Sequence, residues 1–231
     1  MKHLVSAVLV VFIVGIAFPV MAAFELGNMQ IVAYEEADQG IPISNIGNEV
    51  HFDLGATAAN YVNGTMDAFS VSTGITLSDY GVTSWDQVWL GLVGGGRLPN
   101  FQPTDIVFGS AVDTFSIVNP NAFSSAMSVI WQGNAGSVEN KVVKTKSSSK
   151  SYWEAMDLSG SNASYGQFLG GFGTSASGFG PELQLGDDPA SMTLYTVTAG
   201  GADLREIGEW TFETSSGSLN LSFTPQAVPI P

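Results

Sequence analysis

The 231-residue chain contains no cysteine. Disulfides, thiolate metal sites and a lipid-modified N-terminal cysteine are thereby excluded. Histidine is nearly as scarce: of two, His3 lies at the extreme N-terminus, leaving His51 as the one in the body of the chain. Zinc takes several His or Cys ligands, and no such donor set exists here. A Ser–His triad would rest on His51 alone, with no Gly-x-Ser-x-Gly turn to present a nucleophile. Charge is sparse as well: 12% of residues are Asp, Glu, Lys or Arg, with seven basic against 21 acidic and a net charge of −14. An acidic body with so few cations repels phosphate, which argues against nucleic acid as a partner.

What is present begins with an address. Lys2 and His3 precede a charge-free apolar run from Leu4 to Phe18, Pro19 breaks it, and Val20-Met21-Ala22-Ala23 supplies small residues for cleavage. That order predicts a secretory signal peptide over residues 1–23. The run is shorter than the about 20 residues a membrane span needs. The expected mature chain starts at Ala23 or Phe24, is secreted or held at the cell surface, and has no membrane segment after cleavage. Removing Lys2 leaves six basic residues against 21 acidic ones, a charge of −15. The remaining 208 residues suit one β-rich domain, 24–225, followed by a proline motif at 226–231.

Short alternating or β-branched runs dominate that domain: Gln30 to Glu35, Glu49 to Leu54, Ala68 to Thr73, Gly74 to Leu77, Thr104 to Gly109, Thr114 to Val118, Met192 to Thr198, Gly208 to Glu213 and Ser218 to Phe223. Val88 to Val93 is apolar throughout, as in a strand buried on both faces. Thr214-Ser215-Ser216-Gly217 is a hairpin turn signal between the last two runs. One segment has helical spacing. Asn119-Pro120 forms a start, Phe123, Ala126, Met127, Ile130 and Trp131 share a face, and Gly133 is placed to end it. Ser151 to Glu154 fits a capping box for a second short helix, and Ser84 to Gln87 fits a single turn. The expected fold is mainly β, an antiparallel β-sandwich of jelly-roll type, with one amphipathic helix and one or two short helical turns. Lys141 to Ser151 and Gly170 to Gly180 read as low-complexity loops.

Candidate chemistry is thin. His51 alternates with Val50 and Phe52 and reads as a structural or surface residue. Glu154 and Asp157 beside Trp153 form the most enzyme-like carboxylate pair, against the reading of a solvated helix face. Trp85 and Trp153 are candidate aromatic platforms for a sugar, or core residues. Glu35, Glu36, Asp38, Asp187 and Asp188 supply oxygen ligands of the kind calcium takes, in turns that are acidic for ordinary reasons too. Calcium is therefore the one cofactor considered, and otherwise none is expected. Lys141, Lys144, Lys146 and Lys150 gather four of the six mature cations in one Ser-rich stretch, a candidate contact for an acidic polysaccharide or a neighbouring copy, or a solvated loop.

The mature N-terminus, Phe24 to Tyr34, is followed by an acidic patch and by Glu49-Val50-His51-Phe52-Asp53-Leu54-Gly55. With Ser84-Trp85-Asp86, Ser151-Tyr152-Trp153 and the terminal Ala227-Val228-Pro229-Ile230-Pro231, this resembles exported proteins of delta-proteobacterial type that carry a PEP-CTERM-like sorting tail. The resemblance implies that 226–231 is the remnant of a sorting tail, which in such proteins continues into an apolar span and a basic cluster. It implies a surface or matrix component made alongside exopolysaccharide, and it brings no catalytic residues. The expectation is therefore a non-enzymatic secreted or cell-surface structural protein, with extracellular polysaccharide or other surface proteins as partners. A carbohydrate-binding module, a self-assembling subunit and a carboxylate-based glycan hydrolase are the rivals.

Overall fold

The computed structural model describes residues 24, 27–35, 47–95, 106–111, 120–135, 137–148, 150–152, 182–197, 203–214 and 216–226, with side chains from Met127 onward in the helix that starts at Pro120. The readings placed on residues 1–23, Glu36, Asp38, 114–118, Trp153, Glu154, Asp157, 170–180 and 227–231 lie outside them.

The fold is mainly β and antiparallel. Among the described residues ten strands form one sheet: β1 (Asn28–Glu35), β2 (Asn48–Thr57), β3 (Phe69–Ser72), β4 (Val88–Gly94), β5 (Ile106–Ser110), β6 (Lys141–Thr145), β7 (Leu183–Gln184), β8 (Ala190–Val197), β9 (Leu204–Glu213) and β10 (Asn220–Pro225). Their order is β3-β10-β9-β8-β5-β4-β1-β2-β6, with β7 beside β4. The sheet is curled into a half-barrel. Two helices are described, α1 (Ala58–Val62) and α2 (Pro120–Asn134), with single 3₁₀ turns at Leu77–Asp79 and Trp85–Gln87.

Alternation sets the two faces of the sheet. Met29, Ile31 and Ala33 of β1 share the inner face with Val50, Phe52 and Leu54 of β2, Val88, Leu90 and Leu92 of β4, and Trp210, Phe212, Leu221 and Phe223 of β9 and β10. Each large apolar side chain sealed there contributes about 1.5–3 kcal/mol. The curl is visible in an aromatic cluster. Tyr61, on the helix that follows β2, meets Phe223 edge-on at 5.1 Å and Trp210 at 6.2 Å, although β2 and β10 lie near opposite ends of the sheet. Phe69 of β3 closes the cluster edge-on to Trp210 at 5.4 Å. Irregular register between β1 and β2 at Asn28/Gln30, and between β8 and β9 at Leu194/Tyr195, supplies the local bending that curls a sheet.

The segment after β3 spans the opening. Ile75, Tyr80 and Trp85 enter the inner core from it. The Asp79 carboxylate accepts from the backbone N–H of Thr76 at 2.8 Å and from the Lys141 ammonium at 3.1 and 3.2 Å, tying the segment to β6 at the far end of the sheet. Gly74 to Leu77, expected as a strand, belongs instead to this plug, because its apolar Ile75 points into a core already lined by strands.

The outer face is covered at its centre by α2. Met127, Ile130 and Trp131 pack on Val32, Tyr34, Val93, Ile106 and Phe108, as the helical spacing predicts. Sandwiched between this layer and the inner core, β4 is buried on both faces except at Trp89. Gly133 does not end the helix, which runs one residue further to Asn134. Its role is close approach: a Cβ there would lie 2.7 Å from the Lys144 Nζ and 2.8 Å from the Lys150 carbonyl oxygen.

Candidate functional site

Beneath and beside α2 the outer face carries a row of polar side chains where apolar ones would be expected. Register produces it. Gln30, Val32 and Tyr34 of β1 stand opposite Asp53, His51 and Glu49 of β2, and Glu49 in turn stands opposite Lys144 of β6. On the other flank Tyr34 is aligned with Trp89 of β4, and Trp89 with Gln184 of β7. Gln30, Glu49 and His51 are fully buried.

Hydrogen bonds link the row. The Asn134 side-chain amide donates to His51 Nδ1 at 2.8 Å and to Gln30 Oε1 at 3.3 Å. With Nδ1 accepting, the ring proton sits on Nε2 and is donated to Glu49 Oε1. The same oxygen accepts the backbone N–H of Tyr152 at 2.6 Å. Tyr152 stacks on Tyr34 with ring centroids 6.0 Å apart, and both hydroxyls donate to Glu182, at 2.5 and 2.6 Å. Only a glycine at position 91 makes room for this: a Cβ there would collide with the Tyr152 hydroxyl. The row thus ties β1, β2, α2, residue 152 and the start of β7 together. Asn28 donates to both oxygens of Asp53 at 3.0 and 3.1 Å, extending the polar pairing along β1 and β2.

The electrostatics follow from burial. Desolvation pushes the Glu182 carboxyl up to about 7, and the two tyrosine hydrogen bonds pull the other way. Burial holds the Lys144 amine below its usual range; Glu49 opposes this and Lys150 adds to it. Among the described residues, the Lys144 Nζ, Gln30 Nε2 and Asn134 Oδ1 find no hydrogen-bond partner. Sealed from solvent, Glu49 and His51 act here as a pin between sheet and helix, since removing either partner would strand the other.

The residues expected to bind ligands are placed differently. Trp85 is 4% exposed and belongs to the inner core, so it offers no face to a sugar. Among the other described tryptophans, Trp131 and Trp210 are buried and Trp89 is part-exposed. The four lysines do not share one loop. Residues 141–145 form β6, whose alternation sends Lys141 and Lys144 to opposite faces. Lys141 pairs with Asp79, Lys144 turns under α2, and Lys146 is buried with its ammonium donating to the Glu35 carbonyl at 2.8 Å. Lys150 is exposed. Of the oxygen ligands, Glu35 ends β1 while Asp187 and Asp188 are exposed in the bend before β8. Among the described residues no three metal-type ligands converge.

Glu182, Tyr34, Asn134 and Gln30 were not singled out by sequence reasoning. One signal was available: Asn134 continues the apolar stripe of Met127, Ile130 and Trp131 at helical spacing, and so had to meet something polar on the sheet.

The chain matches no known protein family, and no curated protein or solved structure shows significant similarity to it. Fold and site together define an antiparallel half-barrel with a polar row sealed beneath a covering helix.

Proposed function

We propose that the chain is an exported structural protein of the cell surface or extracellular matrix, made alongside exopolysaccharide, and not an enzyme. The observation that carries this reading is the condition of the row. Glu49, His51, Glu182, Tyr34 and Tyr152 are the side chains best suited to acid–base work, and their hydrogen bonds join sheet, helix and β7 to one another. A cysteine-free β scaffold locked by such a row, behind a leader sequence, suits a protein selected for persistence outside the cell. The PEP-CTERM-like ending supports the same location.

Fractionation of the producing cells tests the proposal. The mature chain should be found with surface or matrix material, starting at Ala23 or Phe24, and should sediment with isolated exopolysaccharide. A cytoplasmic chain that retains residues 1–23 would refute it. So would hydrolysis of polysaccharide by the purified chain that is lost in Glu49→Gln. Quenching of tryptophan fluorescence by a soluble oligosaccharide would move the reading to a carbohydrate-binding module.

A further inference from the structure

Among the described residues, the sheet ends in a strand with nothing beside it. β6 is last in the strand order and pairs with β2 alone. The phase of that ladder follows from its ends. Asp53 N–H donates to the Asn140 carbonyl and Lys146 N–H to the Gly47 carbonyl, both at 2.9 Å. In antiparallel pairing hydrogen-bonded and non-bonded positions alternate. Residues 140, 142, 144 and 146 therefore direct their backbone groups to β2, and Lys141, Val143 and Thr145 direct theirs outward. Such a row is a template for another strand.

Natural edges are commonly guarded by lysine, and here both guards are drawn aside. Lys144 runs inward until its Nζ, buried, lies against Gly133. The Lys141 ammonium is held by Asp79 and by the Gly74 carbonyl at 2.9 Å. Left on the edge is Val143, 44% exposed. The sequence of the strand, Lys141-Val142-Val143-Lys144-Thr145, also suits one register. Two copies paired antiparallel about Val143 would set Val143 opposite Val143, Lys141 opposite Thr145, and Val142 opposite Lys144, so no lysine faces a lysine. Val143 would exchange both backbone bonds across the two-fold axis.

We propose that the chain dimerises through β6, a second copy adding its own β6 in this register so that two ten-stranded sheets become one. The inference deepens the structural role proposed above by naming a partner, and its test is separate. Light scattering and sedimentation velocity on the mature chain should show a concentration-dependent dimer. Val143→Lys sets two ammonium groups face to face at the axis and should yield monomer, with an unfolding midpoint matching the wild type's at dilutions where the wild type is itself monomeric, while Val143→Thr should retain the dimer. The absence of any other thiol makes Val143→Cys decisive. Opposed Cβ atoms in such a hydrogen-bonded pair lie about 5.5 Å apart, beyond a relaxed disulfide, so a short bis-maleimide linker should join this variant into a covalent dimer. Val138→Cys, at a position 91% exposed, should do so far more slowly. A wild-type chain that stays monomeric overturns the proposal. A dimer indifferent to Val143→Lys also overturns it and directs attention to the other edge, β3. Monomer in the matrix would leave the proposed location standing, and dimer in the cytoplasm would do the reverse.

Discussion

Glu182→Gln should remove a defined part of the pH dependence of stability. Glu182 lies directly ahead of β7 and accepts hydrogen bonds from the hydroxyls of Tyr34 and Tyr152 at 2.6 and 2.5 Å. Burial raises its carboxyl from 4.5 to about 7. Below pH 4.5 folded and unfolded chains both hold the proton, and the stabilisation associated with the raised value is fully present. Between 4.5 and about 7 the folded state keeps a proton that the unfolded state has released, so unfolding liberates protons and stability falls as pH rises. Above that interval both states are ionised and the loss is complete. At about 1.4 kcal/mol for each pH unit, the interval corresponds to about 3 kcal/mol. Glutamine is neutral throughout; it can accept from one tyrosine hydroxyl and donate to the other. The wild-type chain should therefore lose about 3 kcal/mol relative to Glu182→Gln between acid and mildly alkaline pH. Urea unfolding in steps from about pH 4 to about pH 8 measures the difference directly. Taking the difference removes the contributions of the other carboxylates. A difference flat to within about 1 kcal/mol, or one in which the wild type gains as pH rises, would refute the reasoning.

Three further outcomes follow from burial. Ile130→Ala should cost about 2–5 kcal/mol in chemical denaturation, because Ile130 is fully sealed between α2 and the sheet; a loss under about 1 kcal/mol would mean that the helix is not a structural cover. Trp85→Ala should cost about 3–5 kcal/mol while leaving polysaccharide binding per folded molecule unchanged, and selective loss of binding without loss of stability would contradict its place in the core. His51→Ala should cost about 3–5 kcal/mol, since it leaves the Glu49 carboxylate buried without its imidazole partner. In a Glu49→Gln background the same change should cost measurably less, and a double-mutant cycle with no coupling would argue against the pair.

Strand and helix identity were legible from the sequence where side-chain alternation and spacing were strong. The runs at β1, β2, β4, β8, β9 and β10, the single turn at Trp85–Gln87 and the apolar face of α2 all appear where the pattern places them. Two strands were not legible. β7 is two residues long, too short for any period to register. β6 reads as a lysine-rich loop because its lysines look solvent-bound until an aspartate 62 positions away and the underside of a helix receive them.

The candidate site shows the same division. Glu49-Val50-His51-Phe52-Asp53 already determines that polar and apolar side chains of β2 take opposite faces, because successive residues in a strand alternate. It does not determine which face meets water. An exposed polar face is the ordinary outcome for an antiparallel sheet, so the alternation leaves His51 between a structural and a surface place, as it leaves Trp85 between the core and a sugar platform. The tertiary structure decided both by laying α2 and Tyr152 over the outer face and folding residues 73–87 into the inner one. Burial is set by what covers a face. In this chain the cover comes from segments 30 to 104 residues distant, a separation no local period encodes.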